Sequence, residues 1–236
     1  MNSTNTRYLL AFSVAATLFS VHVEAATGAS DRRDAVLEVF LKGDGPQSTE
    51  AGEFVKKNYV SRPGVHVVFK DVVADDAHLQ RFRKLAEHFK VPSPNLPAFY
   101  VSGQFVSGWD AKQTPARLDE LLTVEVFVRT GCPHCAQAKP VLFETLAPKY
   151  PGYRFVEHDI VASTEELNKL HAVAQRYGVQ APSVPAVHMC GRVMIGFIDR
   201  ESSGRQWDEV LQAVTIEARP PAPVAQPVSN SKTGSK

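Results

Sequence analysis

Apolar and polar positions follow the same order twice along the chain. Each stretch opens with an apolar, β-branched run, followed by a turn and helical segment, a second strand, a second helix, two short strands and a closing helix. The second helices are predicted at 76–90 and 164–177, and the latter begins with a capping-box pattern at Ser163 and Glu166. The order βαβαββα predicts an α/β fold with a central mixed sheet covered by helices on both faces.

The two stretches also match in sequence. Leu37–Ser48 reads LEVFLKGDGPQS and Val124–Cys135 reads VEVFVRTGCPHC, an offset of 87 residues. The segments that begin at Val91 and Val179 match at an offset of 88. Several matches in the same order indicate an internal duplication of about ninety residues, a domain-sized period rather than a solenoid repeat. The predicted domains are residues 35–121 and 122–216.

The two ends of the chain differ from this pattern. Arg7 precedes an apolar run at 8–21, and Ala25 ends a small-residue cleavage pattern, so residues 1–25 are predicted to be a signal peptide. An uncleaved anchor is the alternative, although the apolar run is short for a membrane span. Residues 217–236 are rich in Pro, Ser and Lys and are predicted to be a disordered tail.

Composition narrows the range of partners. The net charge is +1 without a basic stripe, so we expect neither nucleic acid nor an anionic membrane as a partner. We expect a periplasmic or otherwise exported protein that does not span the membrane after signal cleavage. An exported chain meets an oxidising compartment, but three cysteines, Cys132, Cys135 and Cys190, are too few for a disulfide-stapled scaffold.

Cys132, Pro133, His134 and Cys135 form a CxxC motif between a predicted strand and a predicted helix. Free N–H groups and the macrodipole at a helix N-terminus favour a thiolate, so Cys132 is the predicted nucleophile for disulfide exchange. Cys135, one turn deeper, would resolve a mixed disulfide and form the redox disulfide with Cys132. A protonated His134 would stabilise the reduced form and make the disulfide a stronger oxidant.

Other interpretations of the cysteines are weaker. A structural disulfide would close too small a loop to gain much entropy, and a zinc site would need two more ligands where no second CxxC or His pair exists. We therefore expect no metal. Cys190 with His188 and Met189 suggests a copper site, but Cys190 lies five residues beyond Pro185, so we favour a lone buried or strand-end thiol.

The second unit resembles the thioredoxin superfamily. Its CPHC tetrapeptide is similar to that of periplasmic disulfide oxidases of the DsbA type, Pro140 lies where thioredoxins carry a proline, and Cys-Pro-x-Cys followed by Ala and Lys is similar to glutaredoxins. Ser183, Val184 and Pro185 resemble the family's cis-proline loop. The resemblance implies two tandem thioredoxin-like domains, a cis Val184–Pro185 bond, and substrate binding at Val184 and Pro185.

The chain departs from the family pattern in three places. Thioredoxins and the disulfide oxidases carry a buried acid six residues before the first cysteine, where this chain has Val126; Glu125 should face the other side of the strand. Gly131 replaces the tryptophan that precedes the thioredoxin motif, and there is no room for the helical insertion of the oxidases. The family's buried proton acceptor is therefore expected to be missing.

The first unit lacks the two cysteines that disulfide exchange requires. Gly45 and Ser48 stand where the second unit has Cys132 and Cys135, although Pro97 keeps the cis-proline position. Without a thiolate the predicted 35–121 domain is redox-inert, and it would stabilise or dimerise the protein or hold substrate, as the inert domains of protein disulfide isomerases do. Phe99 and Trp109 are candidates for such a surface, but each is more often a core residue.

The sequence therefore predicts an exported protein thiol–disulfide oxidoreductase, an oxidase or isomerase rather than a reductase. We expect thiol- or disulfide-containing proteins as substrates, a membrane redox partner for recycling, and no bound cofactor. The alternative is a non-catalytic copper- or peptide-binding protein of the same fold.

Overall fold

The computed structural model describes residues 31–43 and 45–217. The predicted signal peptide at 1–25 lies outside these residues, as does the predicted tail at 217–236 except for Glu217, which ends a strand. Within the described ranges, no helix has both the length and the apolar character that a membrane crossing needs.

The first half of the described chain forms one mixed sheet. Its strand order is β2-β1-β3-β4, in which β1 pairs with β2 in parallel and the other neighbours are antiparallel. The elements are β1 (Arg33–Leu41), α1 (Pro46–Asn58), β2 (Val65–Asp71), α2 (Asp76–His88), β3 (Ala98–Val101), β4 (Gln104–Ser107) and α3 (Gln113–Leu121).

The second half repeats this arrangement in a second sheet. Its order is β6-β5-β7-β8, again with one parallel pair, β5 with β6. The elements are β5 (Thr123–Val128), α4 (Pro133–Lys139), α5 (Ala147–Lys149), β6 (Arg154–Asp159), α6 (Thr164–Arg176), β7 (Ala186–Met189), β8 (Arg192–Ile195), α7 (Arg205–Gln212) and β9 (Thr215–Glu217). The predicted fold class, α/β with two thioredoxin-like sheets, is confirmed.

Alternation along the central strands divides their side chains between two layers. On β5, Val124, Val126 and Val128 belong to the cluster that contains both cysteines of the motif, whereas Phe127 packs with α6 on the opposite face. Successive side chains of a strand point to opposite faces, so this separation follows directly from the period of two. The dithiol and helix α6 therefore lie on different sides of the second sheet.

The two halves share one hydrophobic core. The same cluster holds Leu37 and Tyr59 from the first half together with Val126 and Tyr150 from the second. Strand β9 returns to the first sheet and pairs antiparallel with β1, an element that the sequence pattern does not predict. The described residues from 31 onward form one compact unit, and the domain boundary between residues 121 and 122 stays a prediction.

Both second helices end slightly before their predicted limits. Helix α2 ends at His88 because Lys90 takes a left-handed φ of 55° and the N–H of Val91 donates to the carbonyl of Ala86 at 2.8 Å. Helix α6 ends at Arg176, with Gly178 left-handed beyond it. Left-handed residues close helices in this way because they satisfy carbonyl groups of the last turn.

Candidate redox site

Cys132 caps the N-terminus of α4. Gly131, just before it, has a φ of 79°, a conformation that glycine adopts without steric penalty, and it lets the chain turn sharply out of β5. Cys132 itself is extended, Pro133 occupies the first turn of the helix, and the N–H of Cys135 donates to Sγ of Cys132 at 3.3 Å. The CxxC spacing thus brings both sulfurs to the same helical turn, with all three cysteines of the chain as free thiols.

The surroundings of Cys132 favour its thiolate. A hydrogen bond from the Cys135 thiol is the largest cause that lowers the pKa of Cys132, burial opposes it, and backbone N–H groups of Cys135 and His134 and the charge of Arg129 assist. The role predicted for a protonated His134 ring, stabilisation of the reduced form, stays a prediction. In the structure the exposed His134 contributes its backbone N–H, and the nearby positive charge that lowers this pKa belongs to Arg129.

The surroundings of Cys135, in contrast, favour its protonated form. It is 2% exposed, and burial, followed by the hydrogen bond to Cys132, raises its pKa to about 11. A thiol with a lowered pKa therefore lies beside a buried thiol that holds its proton. This is the division of roles that a two-step disulfide exchange needs, since the thiolate is the attacking species in each step.

The predicted cis-proline loop is present. The Val184–Pro185 bond is cis, as expected, and Leu96–Pro97 is cis at the matching position of the first half. Val184 packs against the cluster that includes Cys132 and Cys135, and the carbonyl of the buried Pro185 accepts the N–H of Gly196 at 2.7 Å. Substrate binding by Val184 and Pro185 stays a prediction.

The acid beside Val126 faces away from the dithiol. Glu125 accepts from Nδ1 of His188 at 2.7 Å and lies 3.8 Å from Nε2 of His158, on the α6 side of the sheet. Burial of Glu125 opposes ionisation, but the hydrogen bond from His188 and the charges of His158 and Lys169 hold its pKa below the usual range. Glu125 is therefore engaged on the other face, as the strand period predicts, and Val126 is fully buried on the dithiol face.

Cys190 lies in the shared core, in the same hydrophobic cluster as Cys132 and Cys135. It is 7% exposed, and burial, partly offset by a hydrogen bond with Tyr153, raises its pKa to about 12. The hydroxyl of Tyr153 also lies 3.0 Å from Oγ of Ser102, so this contact joins the two halves. Among residues 31–43 and 45–217, no group of three or more His, Cys, Asp or Glu side chains is arranged to hold a metal.

The matching position in the first half carries no thiol. Ser48 stands where Cys135 stands in the second half, is 4% exposed, and its Oγ accepts the N–H of Lys42 at 3.0 Å. Phe99 is fully buried, and Trp109 packs against Phe99 and Phe54 with ring centroids 6.0 and 5.4 Å apart. These two aromatic residues are thus packed inward, against the hypothesis that they form an exposed substrate surface.

A cleft of about 210 Å³ opens beside the dithiol. Both cysteines line it, together with four charged residues, Arg129, Lys139, Glu157 and Asp159. The sequence pattern does not identify these residues. Arg129 follows a strand without any motif, and Glu157 and Asp159 lie on β6, whose register against β5 is set only by the fold.

In a comparison with known proteins, two solved structures are similar to this chain. Neither a protein-family model nor a curated protein matches the chain. The N-terminal domain of alkylhydroperoxide reductase AhpF from Enterococcus faecalis is 14% identical, covers 77% of this chain and 91% of its own, and has a TM-score of 0.27. A protein disulfide oxidoreductase from Aeropyrum pernix is 15% identical, with coverages of 79% and 88% and a TM-score of 0.26. TM-scores this low do not establish a common activity. The assignment to the thioredoxin-like α/β class rests on the strand order and strand pairing of the two sheets.

Proposed function

We propose that the protein is an exported thiol–disulfide oxidoreductase that exchanges disulfides with protein substrates through Cys132 and Cys135. The observation that carries the proposal is the pairing of the two thiols at the start of α4, with the pKa of Cys132 lowered and that of Cys135 raised to about 11. Export rests on the signal-like pattern of residues 1–25, and periplasmic location is part of the same proposal.

The S–S bonds that form and break in the reaction are those of the two cysteines and the substrate. When the dithiol form reduces a substrate, the Cys132 thiolate attacks one substrate sulfur, the substrate S–S bond breaks, and a substrate thiolate leaves and takes up a proton. Cys135 then loses its proton and attacks Sγ of Cys132, which forms the Cys132–Cys135 disulfide and releases the second substrate sulfur. When the disulfide form oxidises a substrate dithiol, the same steps run in reverse.

The balance between the two directions depends on the stability of the reduced form. Each contact that stabilises the Cys132 thiolate, namely the Cys135 thiol, two backbone N–H groups and Arg129, stabilises the dithiol relative to the disulfide. We therefore propose the oxidase or isomerase direction, with a membrane redox protein that restores the disulfide after each turnover.

The equilibrium with glutathione tests this proposal. We expect a reduction potential toward about −120 mV, whereas a value near about −270 mV would indicate a reductase. Cys132→Ser should abolish exchange, and Cys190→Ala, which removes a thiol outside the motif, should leave it intact. Stoichiometric copper binding through Cys132 and Cys135 in a protein without exchange activity would instead support the non-catalytic alternative.

A further inference from the structure

The thiol of Cys135 must lose a proton before it can resolve a mixed disulfide. Burial raises its pKa to about 11, so the thiol keeps its proton at neutral pH. Burial is the largest cause of this value, and burial does not depend on the charge of Cys132. A group that takes this proton within the site would accelerate the step, as general bases do.

Strand β5, which leads into the motif, offers no such group on the dithiol face. Val124, Val126 and Val128 all point to that face and are buried. The one carboxylate of the strand, Glu125, binds His188 on the other face. The proton acceptor must therefore come from another element.

The neighbouring strand β6 places two carboxylates on the dithiol face. In the parallel pairing, Glu157 lies opposite Val126 and Asp159 lies opposite Val128. Directly paired residues of adjacent strands project to the same face of the sheet, so both carboxylates share the face of Val126. Both also line the cleft that contains Cys132 and Cys135.

Asp159 is already engaged as an acceptor. Its carboxylate takes hydrogen bonds from the hydroxyl and N–H of Thr130 and from the N–H of Val161. These bonds, the hydroxyl of Thr130 first, lower the pKa of Asp159, with a further contribution from the charge of Lys139. A carboxylate stabilised in this way is a poor base.

Glu157 has a different environment. Its carboxylate forms an ion pair with Lys139, whose Nζ lies 2.9 Å from Oε1 and 2.8 Å from Oε2. Lys139 lies four residues after Cys135 on α4, about one helical turn along, so the ion pair joins Glu157 to the helix that carries the thiol. The cleft between them is wide enough for several water molecules, each of which occupies about 30 Å³ in the liquid.

We propose that Glu157 is the proton acceptor for Cys135, through water in this cleft, and that Lys139 positions it. This inference rests on the proposed disulfide exchange. In the resolving step the S–H bond of Cys135 breaks, its proton passes through water to the carboxylate of Glu157, and the sulfur keeps the electron pair with which it attacks Sγ of Cys132. The substrate sulfur leaves with the electron pair of the mixed disulfide. In the reverse direction protonated Glu157 returns the proton to Cys135.

Single-turnover kinetics with Glu157→Gln test the assignment. The reduced protein is mixed with a peptide disulfide, quenched with acid and analysed by mass, which separates the concentration-dependent attack by Cys132 from the concentration-independent resolution by Cys135. We expect resolution at pH 7 to slow by about 10²-fold while attack changes little. The deficit should shrink as the pH rises toward about 11, because hydroxide then removes the proton directly.

The sign of the change separates this role from a merely electrostatic one. Glu157→Gln leaves the positive charge of Lys139 unpaired near the thiol, which by itself would ease ionisation of Cys135 and speed resolution. Unchanged or faster resolution, or a deficit that is the same at every pH, would overturn the assignment. Glu144→Gln, which removes a charge from an exposed residue outside the cleft, serves as the matched control. If the unaltered protein forms no mixed disulfide at all, the proposed function fails; if it does and Glu157→Gln resolves equally fast, only this inference fails.

Discussion

The backbones of Gly64 and Gly152 lie in close contact between the two halves, and replacing Gly152 by alanine should destabilise the protein strongly. A Cβ at Gly152 would lie 2.1 Å from the carbonyl oxygen of Gly64 and 3.0 Å from Cβ of Ala35. The first distance is about 0.9 Å shorter than 3.0 Å, the separation below which Cβ contacts are essentially never found. The obstacle is backbone rather than a flexible side chain, so one of the two loops must move.

The structure gives a rough magnitude for this change. Overpacking of a close contact costs about 1–3 kcal/mol. The same Gly64 carbonyl accepts the N–H of Ala35 at 2.8 Å, and its displacement weakens that bond at the start of β1. The loss of a buried hydrogen bond adds about 1 kcal/mol or more, so we expect Gly152→Ala to lower the free energy of unfolding by about 2–4 kcal/mol. For a chain of this size each kcal/mol corresponds to a fall in Tm of roughly 2–4 °C.

Guanidinium unfolding at equilibrium measures the effect as a shift of midpoint at constant m-value. Gly52→Ala is the matched control, because its new Cβ would meet only Leu41 Cδ1 at an ordinary 3.6 Å and the residue lies inside α1. That variant should gain about 0.5–1 kcal/mol, since alanine is the better helix former. If Gly152→Ala unfolds at the same midpoint as the parent protein, the halves do not meet at Gly64 and Gly152 as described.

Three further predictions concern the shared core and the thiols. Trp109 and Trp207 lie in different halves that share one core, so two variants that each keep one tryptophan should unfold with the same fluorescence midpoint. Two separated midpoints would mean that the halves unfold independently. Arg129→Gln should raise the pKa of Cys132, so the pH at which Cys132 is alkylated at half its maximal rate should move upward. The shift should be smaller in 1 M salt, because salt screens exposed charges such as that of Arg129. An unchanged pH profile would show that Arg129 does not act on Cys132. Cys190, buried and with a pKa of about 12, should resist alkylation at pH 8 in the folded protein and react only after unfolding; rapid labelling of the native state would contradict its burial.

Sequence patterns predict the elements of this fold well where the signal is local. The run TVEVFV predicts β5 at 123–128, and the capping box at Ser163 predicts the start of α6; the structure has both at those residues. The Oγ of Ser163 accepts the N–H of Glu166, as the pattern requires. Periodicity and capping act over a few residues, so they can be recognised without knowledge of the rest of the chain.

Features that depend on distant partners are not predicted. Strand β9 has three residues, too few to show a period, and pairs with β1 about 180 residues earlier. The π-helical segment Pro140–Leu146 follows α4, where Pro140 has no N–H to continue the α-helical hydrogen bonds. Proline alone predicts an interruption there, but not its form.

The same distinction applies to the site. CxxC spacing identifies Cys132 and Cys135, and the strand period correctly turns Glu125 away from them. Arg129 and Glu157 could not be found in this way. Their position beside the dithiol depends on the turn before α4 and on the register of β6 against β5, neither of which leaves a residue pattern in the sequence.

Trapping of the mixed disulfide tests whether Cys132 is the attacking thiol and Cys135 the resolving one. A Cys135→Ser variant, reduced and mixed at pH 7 with a peptide disulfide, is analysed by intact mass and peptide mapping. We expect a stable adduct joined through Cys132, because the thiolate is activated while the resolving thiol is missing, and no adduct at this motif in Cys132→Ser. No adduct with Cys135→Ser, or equal adduct formation in the two variants, would contradict it.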